Sequence, residues 1–427
     1  STRYDPTVAY NPIPGSGTVA PYTERRILLG IDWLEREVGC DRQRVYAQGS
    51  SMGGAMAFFA SWLHPEVFAG AMGMVPKVSF SDWSDPTVTY PLQQVFSRLW
   101  GTPASNLATT EGDRIYDRLD GRTQATRKRG SGSAPMLMFI GRNDDIVGWL
   151  EKVHYLDVAR TTNAGSAWFW DGRDHYSSQT ASWSPMQDLT LLYRYRLDRS
   201  WPALSWCSGD GNYGTGDPAL CDTIGTVNGT VDWDTTLVDQ PTNWLVHLHT
   251  RWLSTRWRIL PAPESLTVNV TPRRLQRFHP IPDQVLNYTV TRDVSGAQGG
   301  LIASGSVRVA LDGSVTIPNV RVLRTGTTLR IMVPSTDAPA GSMRPGWLRM
   351  AGNGGRAPVA EVDWDTGRDA SLELYDTQGR RLRTIFHGLP SGTTRHALGG
   401  TGVAPGVYLV VARQGDRIEA RRVALLE

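Results

Sequence analysis

Three short segments of this chain carry side chains that could act together on a carbonyl carbon. The first is Gly49-Ser50-Ser51-Met52-Gly53, preceded by the strand-like run Arg44-Val45-Tyr46-Ala47-Gln48 and followed by an Ala/Phe-rich stretch that reads as a helix from near Ala55. A serine hydroxyl is a weak nucleophile at neutral pH until a base takes its proton and a third group orients that base. The Gly-x-Ser-x-Gly string predicts a strained strand-to-helix corner with Ser51 at its apex, where small neighbours relieve crowding; Ser50 competes only by proximity. Met52 then presents its backbone N–H to a developing oxyanion at the positive end of the helix. An acid is expected where the apolar run 135–140 gives way to Gly141-Arg142-Asn143-Asp144-Asp145-Ile146-Val147. A base is expected after Ala167-Trp168-Phe169-Trp170, in Asp171-Gly172-Arg173-Asp174-His175-Tyr176. His175 fits this role, because His154, the other downstream histidine of the unit, falls inside a helical stretch. Asp171 and Asp174 read as turn residues.

These groups need a scaffold of strands and helices. Residues 1–22, rich in Pro and Gly, read as irregular loop. Thr23 is a suitable N-cap for an amphipathic helix through Ile27, Leu28, Ile31, Leu34 and Val38, which Gly39 stops. Residues 68–75, 135–140 and 167–170 read as buried strands with helices between them, a parallel α/β unit. The aromatic segment 77–134 either covers a pocket or forms a surface insertion with its own small core. A helical run spans Ser184 to Leu197, and beyond it Gly, Pro, Asp and Thr punctuate short alternating segments. The expected fold class is α/β, a partial α/β-hydrolase (parallel sheet with flanking helices) followed by all-β sandwich modules. The expected units are 1–198 (catalytic), 199–335 (β-rich), 336–357 (linker) and 358–427 (β-sandwich).

The order Ser, Asp, His and the segments Gly49–Gly54, Gly141–Val147 and Asp174-His175 resemble the catalytic half of an α/β-hydrolase. They are most similar to secreted prolyl oligopeptidase-like and polyhydroxybutyrate-depolymerase-like esterases. The resemblance implies that Asp144, in Gly-x-x-Asp-x-x-Val spacing, is the acid, whereas Asp145 suits the cap of a helix beginning near Val147. It also implies strands ahead of the helix at Thr23 and a second oxyanion N–H from a loop among them. The chain is therefore expected to be processed or truncated, since Ser1 leads into loop with neither initiator Met nor signal peptide. Ala370–Asp376, Gly379-Arg380 and Pro405–Val410 resemble the C-terminal sorting domain of the type IX secretion system, which implies export to the cell surface and contact with secretion machinery. An ordinary carbohydrate-binding or Ig-like sandwich is the alternative.

The expected function is a secreted serine hydrolase that cleaves carboxylic esters, either polysaccharide-linked acetyl or feruloyl groups or a polyester, by way of an acyl-enzyme on Ser51. It needs no cofactor or metal. A prolyl oligopeptidase-type peptidase and a non-catalytic carbohydrate-binding surface protein are the alternatives. Composition fits a folded, multidomain chain: 427 residues, 40% apolar and 20% charged, with a net charge of +3. The run Arg127-Lys128-Arg129 reads as a solvated loop, not a nucleic-acid patch, and no stretch is long and apolar enough to span a bilayer. Cys207 and Cys221 either form a disulfide or stay free, with Cys40 left over. Asp210, Asp217 and Asp222 either hold Ca²⁺ or belong to a plain turn-rich loop. Most of the 16 Trp are expected to be core residues of the β modules.

Overall fold

Strand β3 (Met136–Gly141) is buried along its whole length, as a strand covered by helices on both faces must be. It lies in a parallel sheet with β1 (Tyr46–Ser50), β2 (Gly70–Met74) and β4 (Ala167–Asp171), in the order β1-β2-β3-β4. The structure is a computed structural model. It describes residues 12–176, 183–255, 258–294, 297–334, 347–351, 358–376, 380–398, 403–415 and 417–425. The helices of this unit are α1 (Tyr22–Val38), α2 (Met52–Leu63), α3 (Leu92–Trp100), α4 (Ile115–Arg118), α5 (Gly121–Arg127) and α6 (Leu150–Thr161). Ala55, Phe58, Phe59 and Trp62 of α2 join Tyr155 of α6 and Trp168 of β4 in one core. Phe58 stacks edge-on against both Tyr155 and Trp168. Truncating one of these rings costs about 3–5 kcal/mol.

The segment 77–134 has no separate core. Phe80, Phe96, Trp100 and Tyr116 pack into the main cluster with Phe59, because Phe80 sits edge-on to both Phe96 and Trp100. Helix α1 starts at Tyr22 after Pro21 and has no side-chain cap, so Thr23 does not cap it. None of its residues is fully buried. Ile27, Leu28 and Ile31 pack against the core, while Leu34 and Val38 of the expected apolar stripe are exposed together with Trp33. The helical run expected over Ser184 to Leu197 divides into α7 (Ser184–Gln187) and α8 (Thr190–Tyr193). The cause is Asp188, whose carboxylate accepts the Thr190 N–H and restarts the chain as an Asx turn.

The middle module pairs two sheets around its own core. One has the order β15-β12-β5, from β5 (Trp201–Ser205), β12 (Ser265–Arg273) and β15 (Ile317–Leu323). The other has β14-β13-β16-β9-β7, with β8 (Val238–Gln240) also on β9; its strands are β7 (Val231–Trp233), β9 (Asn243–Thr250), β13 (Val285–Val294), β14 (Ala297–Arg308) and β16 (Thr327–Met332). Leu266, Val268 and Val270 point inward with the period of two that a half-buried strand requires. A small hairpin joins β10 (Leu253–Ser254) to β11 (Ile259–Leu260). Strand β6 (Gly225–Val227) lies beyond the residue-198 boundary yet returns to the first unit, where it adds antiparallel to β4.

Arg274 secures the junction between the two units. It donates to the carbonyls of Pro65, Phe68, Ala69 and Arg196, and burial pulls its guanidinium down to about 10. Arg273 does the same for Arg129, Gly130 and Asn163, so the basic run 127–129 is partly an interface and not a freely solvated loop.

The last unit is a sandwich of β17 (Leu348–Ala351), β18 (Val359–Asp363) and β21 (Thr393–Ala397) against β20 (Arg381–Gly388), β19 (Ala370–Tyr375), β22 (Gly406–Gln414) and β23 (Arg417–Leu425). Buried tryptophans are divided between the units: Trp62, Trp149, Trp168, Trp170 and Trp183 belong to the α/β unit, and Trp201, Trp233, Trp244 and Trp364 to the β modules. The sheet and helices of the α/β unit form the larger two-faced core.

Besides the packing of Ile27, Leu28 and Ile31, α1 has ionic anchors. His64, at the C-terminal end of α2, meets Glu24 at 2.6 Å and Glu66 at 3.2 Å, and Glu24 also pairs with Arg118. Those two carboxylates raise the His64 imidazole from 6.5 to about 9, against a smaller opposing effect of burial. A folded-state value above the unfolded one adds stability that is fully present below about pH 6.5 and disappears as the pH rises through about 9. Thermal melts should therefore show His64→Gln well below the parent protein at pH 6, with the gap closing by about pH 9.5.

Candidate active site

The chain leaves β1 at Ser50 and enters α2 at Met52, so Ser51 alone makes the corner, with φ 55° and ψ −115°. A non-glycine residue held there stores roughly 1–3 kcal/mol of strain. Two backbone hydrogen bonds enforce it: Ser51 N–H donates to Met74 O at 2.9 Å, and Ala55 N–H donates to Ser51 O at 2.8 Å. Met52, as the first residue of α2, has no preceding turn to supply an acceptor for its N–H. That N–H is adjacent to Ser51 at the positive end of the helix.

The glycines of the corner are unequal. A Cβ on Gly49 would lie 2.3 Å from the Gly53 carbonyl carbon, and one on Gly54 would lie 2.5 Å from Met74 O. A Cβ on Gly53, the second glycine of the string, would meet nothing within 4 Å. Gly54, outside the five-residue string, is the one that lets α2 approach β2.

Asp144 leaves the end of β3 buried, with 2% exposure. Its Oδ1 accepts the N–H groups of Ile146 and Val147, each at 3.0 Å, and closes the turn 144–147, while Asp145 does not take the helix-capping role expected of it. Helix α6 begins at Leu150, later than expected, since Asp85 holds its first amides: Asp85 Oδ2 accepts Trp149 N–H at 2.7 Å and Leu150 N–H at 2.8 Å. His175 leaves β4 through a turn in which Asp174 accepts the Tyr176 N–H and Asp171 pairs with Arg173. Its Nδ1 is 2.9 Å from Asp144 Oδ2 and 3.1 Å from Oδ1, and its Nε2 is 2.8 Å from Ser51 Oγ. With Nδ1–H donating to the carboxylate, Nε2 is left to accept from Ser51 Oγ–H. The three residues singled out in the sequence thus converge in one hydrogen-bonded line.

Contacts between neighbouring strand ends keep this line in register. Arg142 N–H donates to Asp171 O, Asn143 N–H to Arg173 O and Asn143 Nδ2 to Gly172 O, at 2.9, 3.1 and 2.7 Å. The loops approach so closely that a Cβ on Gly141 would lie 2.4 Å from Arg173 O.

Sequence reasoning missed the groups beneath the Asp144 turn. Glu151 is buried between Lys77 (2.5 Å) and Lys152 (2.7 Å) and also accepts Val78 N–H, while Lys152 donates to the carbonyls of Val147 and Gly148. Burial lowers the Lys77 ammonium against the opposing pull of Glu151. Only the adjacent Glu151-Lys152 pair near a helix start hinted at this network.

An apolar cavity of about 420 Å³ runs beside Met52, walled by α1, α2 and the rings of Phe80, Phe96 and Trp100. The three cysteines are free thiols, and burial pushes Cys207 up to about 12. No group of three or more metal-binding side chains occurs among the described residues. In the loop weighed for Ca²⁺, Asp210 accepts Asn228 N–H, Asp217 accepts Ala219 N–H and Asp222 accepts Asn212 N–H, so each carboxylate serves the turn itself.

Residues 23–183 match the model of the prolyl oligopeptidase family. The fold of this region is that of an α/β-hydrolase. No curated protein matches the chain. Among solved structures, a puromycin hydrolase aligns at 21% identity with a TM-score of 0.28, covering 34% of this chain and 21% of that one. The chain thus spans about a fifth of the length of that protein. An aminopeptidase from a marine sediment archaeon, Thaumarchaeota archaeon, aligns at 10% identity with a TM-score of 0.27, covering 71% of each chain.

The clearances above separate the glycines by experiment. Gly54→Ala and Gly141→Ala should each lose about 1–3 kcal/mol, as overpacked sites do, while Gly53→Ala should melt no lower than the parent. Chemical denaturation of the three variants would reveal the difference.

Proposed function

We propose that this chain hydrolyses acyl bonds through a covalent intermediate on Ser51, with His175 as base and then acid and Asp144 as its orienting carboxylate. The observation that carries this is the hydrogen-bonded line Asp144–His175–Ser51, set at a strained corner whose next residue heads a helix. His175 Nε2 takes the Ser51 proton as Oγ attacks the carbonyl carbon, and the Met52 N–H bonds the resulting oxyanion. His175 then returns the proton to the leaving amine or alcohol. Water, deprotonated by the same imidazole, attacks the acyl-enzyme and releases the acid with Ser51 restored.

The apolar cavity beside Met52 suits an apolar acyl group or side chain next to the scissile bond. The family match over residues 23–183 favours a peptide amide as substrate. The ester reading retains support from the resemblance noted in the sequence, and the same cavity would accept a feruloyl or polyester acyl group. Export and surface attachment rest on the likeness of segments 370–376, 379–380 and 405–410 to a sorting domain, and on that alone.

A fluorophosphonate probe should label the full chain, and Ser51→Ala should abolish the labelling; retained labelling would remove Ser51 from the mechanism. Comparing kcat/KM for a proline-containing peptide amide with that for p-nitrophenyl acetate and feruloyl esters decides between the two substrate readings.

A further inference from the structure

A second cleft, of about 380 Å³, opens at the opposite end of the parallel sheet from Ser51. Tyr46, the first residue of β1, donates through its hydroxyl to Tyr195 O at 2.8 Å, and Leu197 N–H donates to Gln43 O at 3.0 Å. The segment that walls the cleft therefore sits where the strands begin, a strand length of roughly 16 Å from the corner where they end.

Four arginines and two aspartates line this cleft: Arg194, Arg196, Arg199, Arg277, Asp198 and Asp239. Both carboxylates are already engaged. Asp198 takes Arg196 in a two-point contact at 2.7 and 2.8 Å, and Asp239 accepts the backbone N–H groups of Gln276, Arg277 and Phe278. Below the floor, Arg194 and Arg251 share the single carboxylate of Asp232, at 2.5 and 3.1 Å, with all three side chains 12–14% exposed. That buried trio keeps one uncompensated positive charge, a costly arrangement. Arg194 is held in place by the Trp233 ring, 4.4 Å away. At the rim, the side chains of Arg199 and Arg277 are exposed and have no ion pair or hydrogen bond among the described residues. Two buried donors of lining residues, Arg194 Nε and Trp201 Nε1, also have no acceptor among the described residues.

Guanidinium groups thus outnumber carboxylates in the lining, and both carboxylates are already engaged. We propose that it binds a compact oxyanion of two or more negative charges, a phosphate or polycarboxylate group, between Arg199 and Arg277 above the Arg194–Asp232–Arg251 trio. Guanidinium forks match such groups in charge and in planar two-point geometry. The site is independent of the chemistry proposed for Ser51.

The test titrates the full chain by calorimetry with inorganic phosphate and with citrate, at constant ionic strength and with chloride as the control. One of the two anions should bind saturably, identifying the phosphoryl or the carboxylate source. The double variant Arg199→Ala/Arg277→Ala, both surface positions, should weaken that binding at least about tenfold while leaving the circular dichroism unchanged. Ser51→Ala should bind like the parent, which separates this cleft from the corner. Failure of both anions to bind above the chloride control, or equal binding by the double variant, would overturn the proposal.

Discussion

Everything at the candidate site depends on holding the His175 imidazole between two groups that belong to different strands. Its two nitrogens must reach Asp144 on one side and Ser51 on the other, within 2.9 and 2.8 Å. A parallel sheet suits this task, because all its strands end on the same side and adjacent strands are about 4.8 Å apart. The loops after β3 and β4 are thus neighbours before any side chain is considered. The hydrogen bonds from Arg142 and Asn143 to the 171–173 backbone, and the missing Cβ at Gly141, bring those loops the rest of the way. Ser51 is set by a separate device, the strained corner between β1 and α2, tied to Met74 at the end of β2.

Below this surface, two ionic supports keep the Asp144 turn from moving. Asp85 fixes the start of α6, and the buried Glu151, through Lys152, grips the carbonyls of Val147 and Gly148. Removing one partner of such a buried cluster would leave an unpaired charge in a low-dielectric interior. The far end of the sheet has the opposite character. There arginines outnumber the carboxylates available to them, and the middle module is joined to the α/β unit by Arg273 and Arg274 on backbone carbonyls.

How much of this was legible in the sequence follows from how local each feature is. Ser51 and His175 could be read because each sits one short loop from a strand of recognisable composition, and the order Ser, Asp, His restricted the choice of acid. Asp85 could not be read, since its partners lie over sixty residues away and nothing near it marks it as a cap. The Gly53 of the motif is dispensable sterically while Gly54 is not, a distinction set by Met74 of the neighbouring strand. Thr23 looked like an N-cap, but the helix begins one residue earlier and has its ionic anchors in His64 and Arg118. Strand β6 escaped notice because its three residues carry no period, and only pairing with β4 defines it.

The three converging residues act as one device or as three separate contributors, and kinetics on the full chain distinguishes these. Measured kcat/KM values for Ser51→Ala, His175→Ala and the double variant should show non-additive losses, the double variant being about as slow as either single one, as expected of groups that act as a unit. Losses that multiply in the double variant, or a His175→Ala enzyme close to the parent, would contradict a catalytic line from Asp144 through His175 to Ser51.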